Sequence, residues 1–235
     1  TRAWTAVLML LAAVGPAAAG VSLDLGRGEE ASYLRLVLLF ASVSLAPALL
    51  AVLTSFLRII IVLLFLRAGL GMPQLLPNPV LIGFALLLTV CTMRPTLQEV
   101  HVRAVSPLLA GRISLAQAVR AATGPATAHL SAYARPEDLA LLRGMAAGPT
   151  VRPAAADLSD LAAAYALSEL RTAFLMGFVI YLPFLVIDLV VAGTLATVGL
   201  SALPQAAVAL PFKVLLFVMV DGWRLLTETL LTSLR

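Results

Sequence analysis

Lysine is almost missing from this 235-residue chain: fifteen of its sixteen basic residues are arginine, and Lys213 is the only lysine. Where arginine serves nearly every need for positive charge, the exception suggests a place that needs a compact ammonium. Cysteine is equally scarce. Cys91 stands alone inside an apolar segment, which excludes a disulfide framework and a thiolate metal site. The two histidines, His101 and His129, are far apart and form no H-E-x-x-H pair, so no metal site is expected. Gly69-Leu70-Gly71 lacks the strand and third glycine of a dinucleotide fingerprint, and neither a P-loop nor a G-x-S-x-G elbow occurs. No catalytic residue and no cofactor site is therefore expected. Charge is sparse as well, at 12% of residues, and the net +4 comes from scattered arginines without the clustering that a nucleic-acid footprint needs.

Apolar residues fill the space. They make up 61% of the chain, and the mean hydropathy of +1.03 defines a polytopic membrane protein. Residues 1–19 have the layout of a cleavable signal peptide: Arg2, an apolar stretch over 3–14, a breaking Pro16, then Ala17-Ala18-Ala19 before Gly20. An uncleaved N-terminal anchor is the alternative. Beyond an exterior segment at 20–35, four apolar segments follow. The first covers 36–66 and is broken by Pro47 and the polar set Thr54, Ser55 and Arg58; the second covers 80–93 and is short for a span. The third runs over 172–198 with Pro183 and Asp188 inside it, and the fourth over 206–220. Residues 36–93 and 172–222 thus read as two hydrophobic helical hairpins. A polar helical region at 94–171 separates them, and a tail at 223–235 closes the chain. Within the polar region Ser114 with Gln117 forms a capping-box pattern, and Pro136-Glu137-Asp138 reads as a first helical turn. The fold class is all-α.

Topology produces a misfit. With the signal cleaved and all four segments spanning, the exterior loop at 94–171 carries eight arginines, while the cytoplasmic loops at 67–79 and 199–205 carry one and none. That opposes the positive-inside expectation. Short segments, internal prolines and embedded charges favour helices that bury one another within an assembly over helices that face lipid.

The embedded charges are the candidate site: Arg58, Arg67, Asp188, Lys213 and Asp221. A charge at bilayer depth costs at least about 2.5 kcal/mol on insertion scales, which makes each one a functional hypothesis. Lys213 and Asp221 are eight residues apart, hence about 80° apart around a helix and ~12 Å along it, and cannot pair. Lys213 needs Asp188, a backbone carbonyl or another subunit, unless its head snorkels to the interface. A buried pair of Arg58 with Asp188, fixing helix register, is expected in preference to a proton relay. Arg58 and Arg67, nine residues apart, point to opposite sides of their helix, and Thr54 shares a face with Arg58.

Several stretches carry a resemblance. They include Thr54-Ser55-Phe56-Leu57-Arg58-Ile59-Ile60-Ile61-Val62, Leu66-Arg67-Ala68-Gly69-Leu70-Gly71 and Pro77-Asn78-Pro79-Val80-Leu81. Further along come Ser168-Glu169-Leu170-Arg171-Thr172-Ala173-Phe174, Leu182-Pro183-Phe184, Leu210-Pro211-Phe212-Lys213 and Asp221-Gly222-Trp223. In order and spacing they resemble the FliP/SctR family of type III secretion export-gate proteins, and the signal peptide favours its flagellar branch.

The resemblance implies an oligomer, a pentamer joined by FliQ and FliR, in a helical gate at the flagellar basal body of the bacterial inner membrane. Neighbouring export proteins such as FlhA and FlhB and unfolded flagellar substrates are the other implied partners. It also implies that the gate lies largely above the bilayer plane, although its helices look like four transmembrane segments. The family's constriction is a methionine-rich loop. Its counterpart here is Gly199-Leu200-Ser201-Ala202-Leu203-Pro204, in which Leu200 and Leu203 are the candidate constriction residues. The rival reading is a multi-span small-solute permease subunit, for which the same charges would be substrate or proton sites.

Overall fold

A computed structural model describes residues 51–71, 76–146, 158–200 and 202–234, with Tyr33, Val37, Phe40, Ser44, Leu45, Pro47 and Ala48 as isolated helical positions before them. The expected signal peptide and nearly all of the 20–35 segment lie outside the described residues. Every regular element among the described residues is helical: α1 Phe56–Leu70, α2 Asn78–Thr92, α3 Arg94–Val100, a π-helical turn His101–Val105, and α4 Ser106–Leu109. After these come α5 Leu115–Tyr133, α6 Pro136–Ala146, α7 Leu158–Thr197, α8 Gln205–Met219 and α9 Gly222–Ser233.

Two compact units divide these elements. One takes its described residues from the chain up to Thr54 and from Met93–Leu167. Its helices start where short-range chemistry starts them. Ser114 Oγ accepts from the Gln117 amide at 3.4 Å while Gln117 Oε1 accepts from the Ser114 amide at 2.8 Å, so the capping box opens α5. Pro136 opens α6, with Glu137 and Asp138 in its first turn, where carboxylates favour the positive end of the helix dipole. Leu130, Leu161 and Tyr165 form the small core of this unit, packed by Leu53 and Tyr133. The His129 ring stands 5.0 Å from the Tyr133 ring and 5.7 Å from the Tyr165 ring.

The other unit comprises Ser55–Thr92 and Ser168–Arg235 and holds the candidate charges. Here α1 packs against α2, and Ser55 Oγ lies 2.6 Å from Thr92 Oγ1, tying the start of one helix to the end of the other. The C-terminal part of α7 runs along α1. Arg58 meets Glu169, Phe65 meets Phe174 edge-on at 5.5 Å and lies over Gly177, and Phe184 lies over Gly69. These contacts advance together along both chains, so the two helices are parallel. Ile59, Val62, Leu63 and Leu66 on α1 are buried to 1% exposure or less.

Four separate spans are not what the described residues show. By length and composition α7 alone can cross a membrane, and up to three spans exist if α2 with α3–α4 and α8 with α9 each count as one bent span. The reason is length: α1, α2 and α8 have 15 residues each, about 22 Å of helix against a ~30 Å hydrocarbon core. The third segment is longer than the sequence indicated, since α7 begins fourteen residues before 172 and reaches 40 residues. Pro47 is in helical conformation, and the interruption among the described residues falls at Leu53–Ser55. Residues 223–235, read as a tail, contain most of α9, whose Leu226 and Leu230 are buried.

Candidate functional site

The first buried charge is Arg58, near the start of α1, with 4% exposure. Its guanidinium fork is used on both sides. Nε donates to Glu169 Oε2 at 2.8 Å and Nη2 donates to Glu169 Oε1, while Nη1 donates to the Ser233 carbonyl at 2.7 Å and to Ser233 Oγ at 3.2 Å. Glu169 has 0% exposure. This bidentate geometry is what arginine offers and lysine does not. It also ties three helices: α1 supplies the cation, α7 the carboxylate, and α9 its last carbonyls, which favour a positive charge.

Lys213 on α8 forms the second pair. Its Nζ donates to Asp188 Oδ2 on α7 at 2.7 Å; Lys213 is 5% exposed and the Asp188 side chain 27% exposed. Gln205 Nε2 donates to the Asp188 backbone carbonyl at 2.8 Å, giving α7 and α8 a second tie. Gly71 ends α1 in the left-handed region at φ 72°, and a Cβ built there would stand 3.7 Å from Lys213 Nζ. Glycine provides the turn, and the ammonium would meet a Cβ there at no more than ordinary contact distance.

Asp188 is therefore the partner that Lys213 has, among the alternatives open from sequence. The expected Arg58–Asp188 pair does not form. Arg58 is near the N-terminus of α1, level with Glu169, and Asp188 is nineteen residues further along α7, about 28 Å up the helix. Arg67 is half-buried and closes the α1–α2 connection, donating to the Leu76 carbonyl at 3.3 Å and to Asn78 Oδ1. Asp221 is exposed and does not pair with Lys213. It joins α8 to α9 with φ 50° and ψ 55°, the left-handed region that aspartate tolerates better than most residues. Leu200 and Leu203 are both 47% exposed on the α7–α8 turn, where the Leu203 amide donates to the Leu200 carbonyl at 3.1 Å.

Sequence reasoning missed Glu169 because the boundary drawn at 172 left it in the polar region. A signal was present. Leu161, Ala164, Tyr165, Ser168, Glu169 and Ala173 are all buried and recur at helical spacing, so Glu169 continues an apolar stripe. No group of three or more His, Cys, Asp or Glu residues suited to a metal occurs among the described residues.

Among the described residues, an all-helical body with an apolar exterior and charges paired inside it has the character of a helical membrane-associated protein. Particular kinship follows from comparison. The FliP family model matches residues 39–230. The flagellar biosynthetic protein FliP of Caulobacter vibrioides is 41% identical over 227 residues, covering 96% of this chain and 85% of that protein. The protein of the same name from Bacillus subtilis is 43% identical over 205 residues, covering 86% and 92%, and that of Pectobacterium carotovorum is 42% identical over 198 residues, covering 84% and 77%. This chain belongs to the FliP family.

Proposed function

We propose that this chain is a pore-forming core subunit of the flagellar type III protein export gate, passing unfolded flagellar subunits across the inner membrane for flagellum assembly. The observation that carries the reading is the contrast within the α1–α2, α7–α9 unit. Its buried cations are tied to carboxylates, while Phe174, Phe178, Leu189, Phe212, Leu215 and Met219 are all more than half exposed. Such a surface needs covering by lipid or by other subunits. The names of the relatives, flagellar biosynthetic proteins, support the flagellar setting. The gate is a homo-oligomer, a pentamer by resemblance, with FliQ and FliR, and it meets FlhA, FlhB and unfolded substrates at the basal body. Its work is conduction and scaffolding, without catalysis. The permease alternative loses its basis, since Arg58, Asp188 and Lys213 are engaged in structural ion pairs.

Copurification tests this directly. A stable oligomer carrying two other small helical proteins is expected in mild detergent, and a monomer there would refute the gate. Leu200 and Leu203 project from a tight turn and are proposed to close the lumen. Replacing both with Gly is expected to make cells expressing the gate leak small ions, read as membrane conductance. Unchanged permeability would remove them from the constriction.

A further inference from the structure

Two glycines on neighbouring helices each lie under a phenylalanine ring from the other helix. On α1, buried Gly69 sits under Phe184 of α7: a Cβ built at Gly69 would stand 2.6 Å from the Phe184 ring and 3.4 Å from Phe184 Cβ. On α7, buried Gly177 sits under Phe65 of α1, where a Cβ would run into the ring and stand 3.0 Å from Phe65 Cβ. The arrangement is reciprocal, since each helix supplies one ring and one glycine. Both collisions reach back to Cγ and Cβ of the phenylalanine, so turning the tip of the ring does not relieve them. Phe65 is also held from the side by Phe174, and Phe184 is itself buried.

A glycine inside a helix weakens it relative to alanine. At Gly83 on α2 and Gly193 on α7 nothing lies within 4 Å of a built Cβ, so neighbouring side chains would admit alanine there. Gly177 differs, because the facing ring occupies the place of its Cβ. Register follows from these contacts. Sliding α7 by one turn would set Phe65 against Ala173 and Phe174, or against Ile180 and Tyr181. The same slide would set Phe184 against Phe65 and Leu66, or carry it past the end of α1. Every one of those residues has a Cβ where the glycines have none. Arg58 would meanwhile lose Glu169 and come level with Tyr165 and Ala166, or with Thr172 and Ala173, none of which carries a charge. Both rings and the buried ion pair therefore agree on a single register.

We propose that the two ring-over-glycine contacts are a register lock that makes α1 and α7 one rigid pair, so that any movement that changes the lumen carries both helices together and never slides one past the other. Shear between packed helices needs side chains that can exchange neighbours. A ring seated on bare backbone cannot pass the next Cβ unless the helices first separate. The lock is a property of the folded chain, and its consequence for a lumen rests on the gate reading above.

Denaturant unfolding of the full chain in detergent tests the lock without reference to export. Gly83→Ala is expected to raise the folded-to-unfolded ratio about fivefold through helix propensity alone. Gly177→Ala is expected to lower that ratio about tenfold, as overpacking does, and to lose this penalty once Phe65→Ala has removed the ring. A Gly177→Ala that stabilises as Gly83→Ala does, or a penalty that survives Phe65→Ala, would overturn the lock. The rigid pair is tested with Gly69→Cys and Phe184→Cys in a Cys91→Ser chain, since their 3.4 Å Cβ separation is close to that of a disulfide. Cells treated with a mild oxidant, with the bridge verified by mass, are expected to swim as well as the same cells kept in dithiothreitol. Phe65→Cys with Gly177→Cys repeats the measurement at the other contact if the first pair does not assemble. Absence of both bridges would refute the register, and swimming only in dithiothreitol would refute the rigid pair. Neither result bears on copurification with gate partners.

Discussion

Glu169→Ala is expected to destabilise the protein by about 3–5 kcal/mol, the cost of leaving a buried charge without its counter-ion. The substitution removes both hydrogen bonds that hold the Nε side of Arg58 and leaves the guanidinium with Ser233 alone. Bulk water does not reach it, since Arg58 is 4% and Glu169 0% exposed. The loss propagates, because the same guanidinium caps the end of α9. Denaturant unfolding of the detergent-solubilised chain, followed by circular dichroism, measures the effect. Arg58→Met combined with Glu169→Leu is expected to recover much of it, since an apolar pair of similar volume avoids both desolvation penalties. The exposed Arg224–Glu228 pair is the internal control: Glu228→Ala is expected to leave the unfolding midpoint unchanged within error.

Lys213→Ala is expected to abolish motility through failed assembly. The ammonium holds Asp188 at 2.7 Å and so fixes α8 against α7 next to the Gly71 turn. Removing it leaves a carboxylate half-buried between apolar helices and a gap where the stem lay. The cost to the folded chain is smaller than for Glu169, because the Asp188 side chain is 27% exposed and water reaches it. Assembly is more demanding, since α7 and α8 also carry much of the exposed apolar surface that neighbouring subunits would cover. Swimming halos and the amount of oligomer in native gels of membrane extracts give the two readouts, and both are expected to fall together.

The helical class and most helix starts were legible because they follow from local chemistry. Ser114 and Gln117 act within one turn, Pro136 needs only its own ring, and the apolar runs over 80–93 and 206–220 became α2 and α8 with ends shifted by a residue or two. Choosing partners across the chain was harder. Arg58 and Glu169 are separated by 111 positions, and no local pattern says that Arg58 meets Glu169 instead of Asp188. The ends of α7 and α9 were also missed. Their buried leucines, tyrosine and alanines are diluted by Ser, Thr and Glu, so composition reads them as polar although their spacing is helical. Among the described residues α7 alone is long and apolar enough to cross a membrane, although four segments look like spans in the sequence. An apolar run says that a segment is buried without saying whether lipid or protein buries it.

The sharpest measurement separates structural charges from conducting ones. Lys213→Met combined with Asp188→Leu removes both members of the pair while keeping their approximate volume. If the pair holds the subunit in shape for assembly, the double variant regains oligomer and swimming that Lys213→Ala loses. A double variant that assembles to wild-type levels yet exports nothing would contradict that role and give the pair a part in transport itself.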